Sequence, residues 1–181
     1  MNTEKWTSKI DFLTENFIEL FHELTEEQLN QKPNESGWSI AQNMEHLIRV
    51  NESYFPIIES IHDGNYKIPF TGKVGFMVTF FGNMILKSVQ PDRKKKTKTF
   101  PIWEPDSNKI ITHILSRFYT HQSELKQIIM NSRNLLEKGA VISSPANKYI
   151  VYKLETAFDI IVAHEERHLE QSKEVLSILR K

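Results

Sequence analysis

The chain has 181 residues, 39% of them hydrophobic and 25% charged, which fits one folded domain with a sizeable core and excludes a disordered chain. Lysine plus arginine equals aspartate plus glutamate at 23 each, so net charge supplies no drive toward nucleic acid or an anionic membrane. Cysteine is absent, which excludes disulfides, thiolate nucleophiles and thiolate metal ligands and leaves histidine and carboxylate for any metal site.

Met1 to Asp11 is polar and mixed in charge, so no secretory signal is expected. Trp6, Ile10, Leu13, Phe17, Leu20 and Leu24 recur in steps of four and three, predicting a first helix over Thr3 to Leu24. Thr25 and Gln28 have the spacing of a capping box for a further short turn, and Pro33, Asn34, Ser36 and Gly37 read as a loop. Ser39 and Gln42 repeat the capping box at the start of a second helix, Ser39 to Ile61, with Ile40, Met44, Leu47, Tyr54, Ile58 and Ile61 as its stripe. Pro56 would kink or break that helix, and Gly64 would stop it.

A long connection follows from His62 to Pro105. Within it, Gly75 to Lys87 predicts a short helix laid over the core, and its apolar run is too short to span a bilayer. Arg93-Lys94-Lys95-Lys96-Thr97-Lys98 is a basic cluster, read as a solvated loop or as a lid for phosphate or acid groups. A third helix is expected over Asp106 to Leu136, capped by Asp106 or Ser107, with Ile111, Ile114, Phe118, His121, Leu125 and Ile128 on one face. Gly139 and Pro145 end it. A fourth helix, Tyr149 to Leu179, carries Leu154, Phe158, Ile161, Val175 and Leu179 on the face that also holds His168.

Four amphipathic helices, few strand signals and one long connection predict an all-α fold. The expected architecture is a four-helix bundle with a long crossover between the second and third helices, filling residues 1–181 as a single domain. A short loop should make the third and fourth helices antiparallel neighbours. The chain is expected to be soluble and cytoplasmic.

The chemistry concentrates in Ala163-His164-Glu165-Glu166-Arg167-His168. Histidines at i and i+4 lie one helical turn apart on one face, so both imidazoles can reach a single ion. A purely structural pair would instead need a separate partner for each buried ring. The same residues match His-Glu-x-x-His, the zincin protease signature. A zincin needs a further ligand downstream, however, and here only Glu170 and Glu174 follow, on the same helix. The third ligand must come from elsewhere. His46, at the edge of the second helix's apolar stripe, is the best candidate, although position alone would also suit a structural histidine.

Gly37-Trp38-Ser39-Ile40-Ala41-Gln42-Asn43-Met44-Glu45-His46-Leu47 resembles the second-helix signature of the DinB-like superfamily: a Trp-Ser helix start with a histidine about two turns later. The carboxy-terminal His-x-x-x-His, followed by Leu169 and Gln171, resembles the same family's last helix. The resemblance covers nearly the whole chain, with both motifs in the expected order. It implies a helical bundle holding a divalent metal, zinc or nickel, through His46, His164 and His168. It further implies either a metal-dependent hydrolase or a thiol S-transferase of the bacillithiol type, with many members of unknown substrate.

Three histidines leave coordination positions open, at which a water or a thiol can be acidified or a carbonyl polarised. With no cysteine in the chain, any thiol must be a small cosubstrate. The expected partners are a small-molecule substrate, a low-molecular-weight thiol among the options, and a second copy of the chain in a homodimer. Glu165 falls near the middle of the apolar stripe, where a carboxylate must pair, orient a histidine, act as a base or reach the bundle end. His121 is either a fourth ligand or a hydrogen-bonded core histidine. A non-catalytic metal-binding bundle is the competing reading. A nucleic-acid role, suggested by the family name and the basic cluster, is disfavoured by zero net charge and by the lack of aromatics within that cluster.

Overall fold

The structure is a computed structural model, and it describes residues 3–92, 99–107 and 109–180. The basic cluster at 93–98 lies outside the described residues. The described residues are mostly helical, in agreement with the expected all-α class, with one small hairpin added.

Helix α1, Glu4–Phe21, buries Trp6, Ile10, Leu13 and Phe17 as the spacing requires, and then Phe21 rather than Leu20. A short α2, Glu26–Asn30, begins at Thr25, which with Gln28 forms a full capping box. Ser39 and Gln42 do the same for α3, Ile40–Glu52, each satisfying a backbone N–H that the first helical turn leaves without a partner. The predicted second helix divides at Ser53 and Tyr54. Its remainder, α4, runs Phe55–His62 with Pro56 in its first turn, where proline's missing N–H costs nothing.

In the long connection, α5 spans Gly75–Ser88 and packs on the hairpin and on the last helix. A Cβ at Gly82 would stand 3.2 Å from both Tyr152 and Thr156, so the bare glycine permits this close approach.

The third helix starts later than the spacing predicts. Helix α6 runs Ile114–Asn131, and neither Asp106 nor Ser107 caps it. The reason is tertiary. Asn30 of α2 donates to the Ile111 carbonyl and accepts from the Ile111 N–H, holding that stretch outside any helix. His113 then takes a left-handed turn, φ 54°, into the first helical residue.

A short α7, Arg133–Glu137, follows, and Gly139 turns the chain at φ 65°. Tyr149 to Lys153, predicted as helix, is extended instead. It belongs to β2, Asn147–Lys153, which pairs antiparallel with β1, Val141–Ser144, in a register of Ile142 with Tyr152. Helix α8, Leu154–Leu179, begins directly after the strand, and its first N–H donates to the Ala140 carbonyl of the hairpin.

The long helices α1, α3, α6 and α8 enclose the core. Helix α1 packs on α6 and α8, and α3 packs on the same two. Cross-contacts give the directions. Asp11 with Lys126 and Phe17 with Phe118 set α1 against α6, while Asn43 with His168 and His46 with His164 set α3 against α8. Helices α6 and α8 therefore stand diagonally across the core, not side by side as expected. The segment joining them is not a short loop but α7 and the hairpin, long enough to reach the diagonal position.

Two apolar clusters fill the interior. One contains Trp6, Tyr54, Leu125, Tyr152 and Phe158, and the other Phe17, Met44, Leu47, Phe118 and Leu169. On α6 and α8 the residues between these clusters are polar: His121 and Gln122 on one helix, His164, Glu165 and His168 on the other. A polar layer thus lies across the middle of an apolar core.

Candidate metal centre

Local structure fixes each histidine in turn. The capping Ser39 offers its carbonyl to the Asn43 amide at 2.9 Å, which orients that side chain so that its oxygen faces α8. His168 donates its Nδ1–H to that oxygen at 2.7 Å. His46 donates its Nδ1–H to the Trp103 carbonyl at 2.9 Å. Trp103 lies in a short 3₁₀ turn, Pro101–Trp103, whose indole donates to Ser53 Oγ and whose neighbour Glu104 accepts from Arg49 at its carbonyl. The end of the long connection is thereby pinned along α3.

In both rings the outer nitrogen carries the proton, so Nε2 of His46 and of His168 is a bare lone pair directed inward. His164 Nε2 stands 3.3 Å from the former and 3.1 Å from the latter. Trp38 covers the group, stacked on His168 at an interplanar angle of 18° and tilted against His46. Among the described residues these three histidines form a cluster that could hold a metal ion.

The donor set fits such an ion. Zinc–nitrogen bonds of 2.0–2.1 Å in a tetrahedral shell separate neighbouring nitrogens by about 3.3 Å, close to the two spacings from His164, and all three ligand atoms lie within 4.8 Å of one another. A proton on His164 Nε2 could serve only one of the two facing lone pairs at a time, whereas one cation serves all three rings.

Burial pushes the His46 imidazole down to about 4, the Trp103 hydrogen bond opposing and Arg49 adding to the shift. Burial, then the neighbouring imidazoles, then Arg167 hold His168 well below the ordinary histidine range. Burial first, then the His46 imidazole and Arg167, likewise hold His164 well below that range. All three rings are neutral at pH 7, which is the form that ligates metal.

Glu165 does not extend to solvent at the end of its helix. It is fully buried and accepts from Asn51 at 2.8 Å and from Gln122 at 2.7 Å. Burial raises its carboxyl to about 7, opposed by those two amides. His121 stays outside the histidine cluster. Its Nε2 accepts from Asn51 at 3.2 Å, and its ring stacks on Phe55. Sequence reasoning named His46, His164 and His168, and the fold brings them together. It missed Trp103 and Asn43 as partners of His46 and His168, and Asn51 and Gln122 as partners of Glu165. Asn43 lay inside the quoted helix-start motif, but its partner is 125 residues away and no local spacing points to it.

A mostly helical fold with three inward-facing imidazoles in a polar core layer defines a class of helical proteins equipped to bind metal. The profile of the DinB superfamily matches residues 9–172, and the chain belongs to that superfamily. Comparison with curated proteins and comparison with solved structures each gave no significant match.

Proposed function

We propose that the protein is a metal-dependent enzyme of the DinB type in which His46, His164 and His168 hold a zinc or nickel ion and act on a small molecule. The observation that carries this reading is the convergence of three neutral Nε2 atoms, two of them with their outer nitrogens already committed to Trp103 and Asn43. The packing of α1, α3, α6 and α8, with the long connection between α3 and α6, supports the architecture as a four-helix bundle with a crossover. We place it in the cytoplasm, a reading compatible with a cysteine-free chain in which no described helix is long and apolar enough to cross a membrane.

A bound divalent ion would supply Lewis acidity, lowering the pKa of a water or thiol or polarising a carbonyl. The chain's own residues do the rest. Asn43 and Trp103 fix the tautomers, Trp38 shields two of the rings, and the desolvated rings remain unprotonated. Such outer partners are worth 10–100-fold in metal affinity where they have been removed. Hydrolysis and thiol transfer both suit three neutral ligands with open positions. In a transfer reaction the thiol enters as a cosubstrate, because the chain has none.

The test is elemental analysis of protein purified without chelators and offered zinc, nickel or manganese. Wild type should hold one equivalent, His46→Ala and His168→Ala close to none, and Asn43→Ala should bind about 10–100-fold more weakly. A wild type that takes up no metal defeats the reading. Full retention by His46→Ala would remove that residue from the ligand set. Turnover assays with a thiol and an electrophile, beside ester and amide hydrolysis, then separate the two chemistries.

A further inference from the structure

Helix α5 buries only Val78 and Gly82, while Phe76, Phe80 and Met84 recur every four residues along its outer side. Phe76 is 75% exposed, Phe80 59% and Met84 42%. The 3₁₀ turn that packs against α5, Phe70–Lys73, adds Phe70 at 80%, and Ile68 just before it is 44% exposed. Lys87 is the sole charged residue in Gly75–Ser88. Side chains of this size carry about 150–250 Å² each, so the five together present about 600 Å² of apolar surface per copy. That is the upper end of what a monomer leaves uncovered.

We propose that this face is the interface of a symmetric dimer, covered by the same face of a second copy. The area selects this occupant. Two such faces bury about 1,200 Å², the size at which specific protein interfaces become stable. A two-fold axis needs a patch that complements itself, and α5 has one: bulky Phe76, Phe80 and Met84 form a ridge beside the smaller Thr79 and Asn83. Within α5 the only charge is Lys87, while Lys67 and Lys73 stand exposed beside Ile68 and Phe70, where their long side chains can reach solvent at the rim, and a chain of zero net charge does not repel its copy. The interface is independent of the histidine cluster, so it can stand or fall without the proposed function.

The experiment is sedimentation velocity on the full chain from about 1 to 100 μM, the range in which an interface of this size is populated. Wild type should run at twice the monomer mass of 21.3 kDa. Phe76→Glu with Phe80→Glu should run as monomer with unchanged helical circular dichroism and metal content, its association at least tenfold weaker. A second readout leaves the patch intact. Thr79→Cys, a unique label site in a cysteine-free chain, should show concentration-dependent spin–spin broadening that Ser123→Cys on α6 does not. Wild type that is monomeric throughout, or a dimer that survives the double substitution and shows no broadening at 79, overturns the proposal. So does a monomeric wild type that binds neutral phosphatidylcholine vesicles through Phe76 and Phe80, since a lipid surface would then be the occupant.

Discussion

His121 shows how the polar layer makes stability depend on pH. Burial lowers its imidazole to about 4, against an ordinary 6.5 in the unfolded chain. Between those values the unfolded chain binds a proton that the folded chain refuses. The contribution is therefore complete above pH 6.5 and is lost as pH falls through 4. The titratable and charged groups around the ring are Glu165, reached through Asn51 and mostly protonated in this window, and Glu52, Arg117 and Glu124 at the adjoining cleft. Denaturant titrations of wild type and His121→Leu across this window should differ in slope, the variant keeping up to about 3 kcal/mol more of its stability at pH 4. Parallel curves would show that the ring is protonated without unfolding cost. The spacing of hydrophobic residues placed His121 on the buried face, but the buried Asn51 amide, which leaves His121 Nε2 as an acceptor, lies 70 residues away.

At the scale of elements, the sequence was legible where local chemistry decides. Both capping boxes start their helices at the predicted residues, because the bonds they make lie within three positions. It misled where a distant group won. Residues 109–113 would continue α6 toward its amino terminus, but Asn30 takes up the Ile111 backbone groups and His113 is forced left-handed. That conformation costs a non-glycine residue about 1–2 kcal/mol. His113→Gly should therefore raise stability in urea melts by about 0.5–1 kcal/mol, less than the full strain because glycine also adds freedom to the unfolded chain. The hydrogen bond from the backbone N–H of residue 113 to Glu26 is kept, and only an exposed side-chain contact is lost. Unchanged or lower stability would mean that the turn carries no strain. The hairpin was a different failure. Tyr149, Ile150, Val151 and Tyr152 are β-formers, and their run directly before a long helix reads as its first turn until Val141 to Ser144 is seen to pair with it.

For the whole molecule, the position of the polar layer bears on what metal does for the fold. Apolar clusters lie on either side of it, one built on Trp6, Tyr152 and Phe158 and the other on Phe17, Met44 and Phe118. Neither depends on the histidines, so chelation should loosen the middle without dissolving the ends. Stripping metal from loaded protein should lower stability by about 3–4 kcal/mol, the linkage expected at 100–1,000-fold excess over the dissociation constant. In a chain of this length that is a fall of about 6–16 °C in Tm. Helical circular dichroism at 25 °C should persist. Unfolding on chelation would instead mark the ion as structural and favour the non-catalytic reading of the centre.

The sequence by itself determined which residues are amphipathic, where capped helices begin, and that two histidines share a turn of α8. Each of these rests on interactions within about four residues, the range over which spacing dictates geometry. Only the tertiary structure decided that His46 meets them, since the contact to His164 spans 118 residues. It also set α6 diagonal to α8, turned Asn43 and the Trp103 carbonyl onto the outer nitrogens, and left one side of α5 bare. Those outcomes depend on which of several compatible apolar faces meet, and that is settled by how side chains fill the shared core.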